Sequence, residues 1–222
     1  MSILFVLLTF LFILTVMYFR RPQPEDALQV ARGPQISAPV MMQFNGVEIP
    51  QGYAFHPGHT WLSDEGHQNA RIGMDGFAAN LVGQVDEIEF AELNRWVRQG
   101  QRLCTLKHDD RKVDLLSPVE GVLTSVNEHL AQNPGKAIND PYHTGWLCTI
   151  KAPELAINSK NLLQGSLVPA WMQNSVGRVS EMLSEMSPMP ALAQDGGLPV
   201  KGLLFEVSPD AQQELTKEFF LT

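Results

Sequence analysis

The sequence predicts a mainly β protein, a small barrel or sandwich with short helices, preceded by a transmembrane helix and followed by a C-terminal α/β extension. Three observations carry this reading. Short apolar runs broken by glycine and proline recur at close spacing from Tyr53 to Lys151, the pattern of a small barrel or sandwich. An uncharged apolar run opens the chain at residues 2–19. Helical periodicity sets in after Pro153.

The opening run, Ser2 to Phe19, at about 1.5 Å per helical residue covers most of a hydrocarbon layer roughly 30 Å thick. Nothing basic precedes Ile3, and Met17-Tyr18-Phe19 supplies bulky residues where a cleavage site wants small ones. A retained anchor over residues 2–19 is therefore expected rather than a cleaved signal peptide. Arg20 and Arg21 follow directly, so the positive-inside rule predicts a single-pass membrane protein whose C-terminal domain faces the cytoplasm. The expected organisation is an anchor with a basic stop over 1–21, a polar, proline-containing linker over 22–39, a β domain over 40–173 and a helical extension over 174–222.

Residues 40–49 read as a hairpin around Asn45-Gly46, the favoured pair for a tight turn. Strands are expected at Ala70–Ile72, Val85–Phe90, Arg102–Leu106, Asp114–Leu116, Gly121–Val126 and Trp146–Ile150. A short helix follows Asp75, its N-cap, shows an apolar side at Phe77, Ala78, Leu81 and Val82, and stops at Gly83. A second helical turn starts at Asn127 and ends before Pro134. Further on, Val176, Val179, Met182, Leu183 and Met186 share one helical face. Residues 187–197 read as a loop, Val200–Val207 as a strand, and Ser208-Pro209-Asp210 as the start of a helix over Ala211–Phe220 that leaves Phe219, Phe220 and Leu221 exposed.

Composition narrows the function. The chain has 222 residues, 44% of them hydrophobic, and a formal net charge of −8; a core is expected, and a nucleic-acid partner is not, because no basic surplus exists to displace phosphate counterions. Cys104 and Cys148 stand far apart without a CxxC pair, so they read as small buried hydrophobes. His56, His59 and His67 lack a fourth ligand in view and read as structural, so no metal is expected. No nucleophile elbow, phosphate loop or dinucleotide fingerprint occurs, and no catalytic residue is assigned.

Five ordered segments carry a family resemblance: Tyr53-Ala54-Phe55-His56-Pro57-Gly58-His59-Thr60-Trp61; Ala70-Arg71-Ile72-Gly73-Met74-Asp75-Gly76-Phe77-Ala78 with Leu81-Val82-Gly83; Leu116-Ser117-Pro118-Val119-Glu120-Gly121; Val126-Asn127-Glu128; and Asn139-Asp140-Pro141-Tyr142-His143-Thr144-Gly145-Trp146-Leu147. Together they resemble the glycine cleavage system H-protein family, the last being close to its Asn-x-x-Pro-Tyr-x-x-Gly-Trp signature. The resemblance implies a barrel-sandwich hybrid fold of the lipoyl type whose exposed hairpin presents a lysine. Lipoate on that lysine acts as a swinging arm among the glycine cleavage subunits, and the domain itself catalyses nothing.

The chain departs from the family at that hairpin. Where the family reads Glu-Ser-Val-Lys-Ala, this chain has Lys107-His108-Asp109-Asp110-Arg111, and ungapped alignment between Gly100 and Pro118-Val119 places Asp110 at the lipoyl-lysine position. An aspartate has no amine to form the lipoyl amide, so no cofactor is expected; Lys112 and Lys107 are the fallback acceptors. The sequence therefore predicts a membrane-tethered, non-lipoylated H-protein-like module that binds protein partners, subunits of a membrane or glycine-cleavage-like complex. The alternative is a lipoate carrier of aminomethyl or acyl groups modified on Lys112 or Lys107.

Overall fold

A computed structural model describes residues 40–44, 47–186 and 201–221, together with Thr15. The chain divides into two units, Met1–Ala38 and Pro39–Thr222, and the second holds every element that follows.

Eleven strands are found among the described residues: β1 (Met41–Phe44), β2 (Val47–Pro50), β3 (Ala54–Phe55), β4 (Thr60–Asp64), β5 (Asn69–Met74), β6 (Glu87–Phe90), β7 (Trp96–Val97), β8 (Arg102–His108), β9 (Arg111–Leu116), β10 (Gly121–Val126) and β11 (Cys148–Lys151). They form a two-stranded sheet, β1-β2, a six-stranded sheet in the order β3-β4-β5-β11-β10-β7, and a three-stranded sheet in the order β6-β8-β9. The expected β1–β2 hairpin is present, pairing Phe44 with Val47; its Asn45-Gly46 turn lies outside the described residues.

Strand β8 is buried on both faces, and this joins the two cores. Leu103 packs with Ile72, Leu123, Cys148 and Ile150, while Cys104 and Leu106, of opposite parity, belong with Phe77, Leu81, Val113 and Leu115. Burial pushes both thiols well above their ordinary range, which leaves them inert packing groups. Trp61, fully buried, donates Nε1–H to the Pro141 carbonyl at 3.1 Å. A Cβ on Gly73 would stand 2.3 Å from the Trp61 ring, so only glycine lets this indole lie flat on β5.

Helix α1 (Gly76–Val82) begins and ends as the sequence predicts, with Asp75 accepting from the Ala78 amide and Gly83 as C-cap at φ 74°. The expected turn after Asn127 is a single helical turn, His129–Gln132. Helix α2 (Leu167–Met186) buries Val168, Met172, Val179 and Met182 in the larger core. Helix α3 (Leu203–Glu206) and helix α4 (Pro209–Leu215), capped by Ser208, lead into a wider turn, Thr216–Phe220, that ends the fold.

Three expectations are corrected. The fold class is mainly β, with three sheets and short helices, and does not include the transmembrane helix. No helix among the described residues is long and apolar enough to cross a membrane. The longest, α2, carries Arg178, Glu181 and Glu185 on its outer side. Residues 2–19 lie, apart from Thr15, outside the described residues, and the membrane location and cytoplasm-facing orientation drawn from them fall with the span. Second, of the segment read as a strand at Val200–Val207, the described part, from Lys201, forms a turn and α3 instead, because Gly202, at φ 88°, turns the chain against α1 and buries Leu203, Leu204 and Phe205. Among the described residues the C-terminal extension is thus helical rather than α/β. Third, Phe219 and Phe220 are buried, while Leu221 alone of that trio stays exposed. The loop expected at 187–197 lies outside the described residues.

Candidate functional site

The β8–β9 hairpin carries the residues singled out from the sequence, and its register fixes where each charge stands. His108 pairs with Arg111, Lys107 with Lys112, Leu106 with Val113 and Thr105 with Asp114. Asp109 and Asp110 are left as a two-residue turn, with Asp109 at φ 49°, a conformation that aspartate tolerates better than most side chains. Both turn residues are exposed.

Lys107 points to the neighbouring strand. Its ammonium lies 3.0 Å from Glu89 Oε2 and 3.3 Å from Glu87 Oε2 on β6, and these carboxylates raise its pKa above the ordinary lysine value. Lys112 stands directly across from it with an exposed side chain. Its backbone carbonyl accepts from Gln212 Nε2 at 3.2 Å.

Asp86, in the loop before β6, organises the tip. Its Oδ2 is 2.9 Å from His108 Nδ1 and accepts from the Asp109 amide at 3.1 Å. The amide and then the imidazole hold the Asp86 carboxyl below the usual carboxylate range. His108 Nε2 lies 3.9 Å from Asp109 Oδ2. Asp86 stands 22 residues from His108 and in no recognisable motif, so the sequence offered no sign of this pairing. A cavity of about 270 Å³ lies against His108, walled also by Val82, Gly83, Lys201, Gly202, Phe205 and Glu206.

The C-terminal extension covers the other side of the hairpin. Arg111 Nη1 donates to the Val207 carbonyl and to Gln212 Oε1 at 3.3 Å, and the Phe205 ring sits 5.7 Å from the His108 ring. Gly202 donates its amide to the Asn80 carbonyl at 2.9 Å. A Cβ on Gly83 would lie 2.1 Å from the Gly202 Cα, so the strap and the end of α1 meet glycine on glycine. Sequence reasoning missed this cover; the apolar residues of 203–220 were its one available signal.

The three histidines singled out from the sequence do not converge. His67 is exposed. His56 is buried and accepts from the Gly58 amide at 3.0 Å; burial, and then the neighbouring His59, lower its pKa. His59 Nδ1 is 2.7 Å from Asp75 Oδ2, with both side chains almost wholly buried. The His59 ring lies between Phe77 at 4.3 Å and Trp171 at 4.6 Å. That pair joins the cap of α1 to the core, a positioning role for the fold rather than a ligand set.

Comparison with known proteins gives a consistent family. The family model described as Glycine cleavage H-protein matches residues 53–175, more than half of the chain. The glycine cleavage system H protein of Rubrobacter xylanophilus is 35% identical over 107 residues, 48% of this chain and 84% of the relative. That of Legionella pneumophila (strain Corby) is 33% identical over 93 residues, 42% of this chain and 74% of the relative. Among solved structures, a glycine cleavage system H protein from Mycobacterium marinum is similar at 22% identity and a TM-score of 0.44, covering 47% of this chain and 87% of that one.

Proposed function

Since this chain belongs to the glycine cleavage H-protein family, we propose that it acts as a non-lipoylated binding module, a scaffold subunit that meets protein partners through the retained domain. The observation that carries this reading is the hairpin turn itself. Its two residues are Asp109 and Asp110, and a carboxylate cannot form the amide through which lipoate is attached. The family's carrier chemistry resides in that arm and not in the domain; without it, the surface is what remains to function.

The neighbouring amines give the carrier reading no better support. Lys107 is engaged by Glu87 and Glu89. Lys112 is exposed but lies two residues down β9 from Asp110, a displacement of about 7 Å along a strand. Next to it, Gln212 and Arg111 tie the hairpin to the C-terminal helices, and a ligase that reads a free turn would meet that strap. Other subunits of a glycine-cleavage-type complex are the natural partners for a domain of this family.

Intact-mass measurement of the native full-length chain, combined with recovery of its companions under gentle purification, tests the reading. The expected result is an unmodified mass together with a stable protein companion. A lipoyl increment that disappears in Lys112→Arg or Lys107→Arg would replace the module by a carrier. Recovery as an unmodified, solitary chain would overturn the scaffold role.

A further inference from the structure

We propose that Asp86, His108 and Asp109 form a binding site for one divalent transition-metal ion of the zinc class. One imidazole nitrogen and one carboxylate oxygen from each aspartate lie within 4.8 Å of one another. The separation between His108 Nδ1 and Asp86 Oδ2 is 2.9 Å. Two ligands bound to zinc at roughly 2.0–2.1 Å stand about 3 Å apart, so the cation takes the place of the proton now shared by ring and carboxylate. Asp109, in the exposed turn, supplies the third ligand atom within that 4.8 Å; its Oδ2 lies 3.9 Å from His108 Nε2 and closes the set by a side-chain rotation.

The charges around the tip favour a cation. Among the described residues, no lysine or arginine pairs with Asp86, Asp109 or Asp110: Lys107 is turned to Glu87 and Glu89, and Arg111 to Val207 and Gln212. Two carboxylates thus flank one imidazole without a basic partner. An imidazole with two carboxylates suits zinc and its transition-metal neighbours, whereas magnesium prefers an all-oxygen shell. Three protein ligands leave a fourth position for water or a partner's donor atom, as an open site requires. Metal binding stands independently of what the module does; use of the open position by a donor side chain of a partner rests on the binding-module reading.

The test is calorimetric titration of the full-length chain with zinc alone, repeated with magnesium present. One equivalent should bind. Removing a direct ligand should weaken it by at least about tenfold, the lower end of what disturbing even an outer-shell partner costs. His108→Ala and Asp86→Asn should both do so. Asp109→Asn, which keeps the backbone's preference for the turn, provides a variant that folds irrespective of the first two. His143→Ala, which removes a surface histidine paired with Asp140 alone, should leave affinity unchanged. The proposal is overturned if zinc does not bind, if His108→Ala and Asp109→Asn bind as the unaltered chain does, if binding follows His143, or if magnesium competes on equal terms.

Discussion

The molecule contains two histidine–aspartate pairs of almost identical length in opposite surroundings. His59 and Asp75 are 2.7 Å apart with side-chain exposures of 1% and 0%, whereas His108 and Asp86 are 2.9 Å apart with exposures of 22% and 50%. Hydrogen-bond length does not separate them; burial does. In the first pair Asp75 also caps α1, and Phe77 and Trp171 close over the ring, so both carboxylate oxygens and Nδ1 are committed to the fold. The second pair is half in water, and its hydration partners can be exchanged for a ligand. The same two residue types therefore serve architecture at one site and stay available for chemistry at the other.

Substitutions should separate the pairs in order of size. His59→Ala leaves the Asp75 carboxyl buried without its ring partner and opens a hole between two aromatic rings; a loss of about 3–5 kcal/mol is expected in denaturant unfolding. A loss below about 1 kcal/mol, the range of an exposed pair, would erase the contrast. Gly83→Ala forces a methyl group toward Gly202 at a positive φ and should cost about 1–3 kcal/mol by prising the C-terminal strap from α1. An unchanged midpoint would mean that the strap yields without strain.

The buried end should also respond to acid. The lowered pKa of His56 means that the unfolded chain takes up a proton there more readily than the folded one. Its contribution is fully present above the ordinary imidazole pKa of about 6.5 and is lost as pH falls through the lower folded value. Stability followed downward from neutral pH should decline in this window, and His56→Gln should flatten that part of the profile. The smallest effect is expected at the tip. His108→Ala should change stability by less than about 1 kcal/mol, and a loss comparable to that of His59→Ala would show that the tip is architectural as well.

What the sequence made legible was local. Asp75 and Gly83 bound α1 because a side-chain acceptor and a positive-φ residue satisfy the helix ends on the spot. Most strands followed from short apolar runs between turn residues, although the alternation reached too little of β9 to include Arg111–Val113. The placement of Asp110 in the turn was read from two anchors and an unbroken count. By contrast, Val200–Val207 carries a strand-like composition, yet Gly202 and the packing against α1 make Leu203–Glu206 helical. Phe219 and Phe220 read as exposed only because the groove that receives them is assembled from distant segments.

The amino-acid order alone thus determined the family, the capped helix and the two carboxylates at the hairpin turn, since each depends on neighbours within a few residues or on a motif kept in sequence. Tertiary structure decided the rest: that Asp86 meets His108, that Asp75 meets His59, and that the C-terminal helices close over one side of the hairpin. Those contacts join residues from 16 to 101 positions apart. Burial of apolar surface between distant segments brings these partners together, and no local pattern encodes that approach.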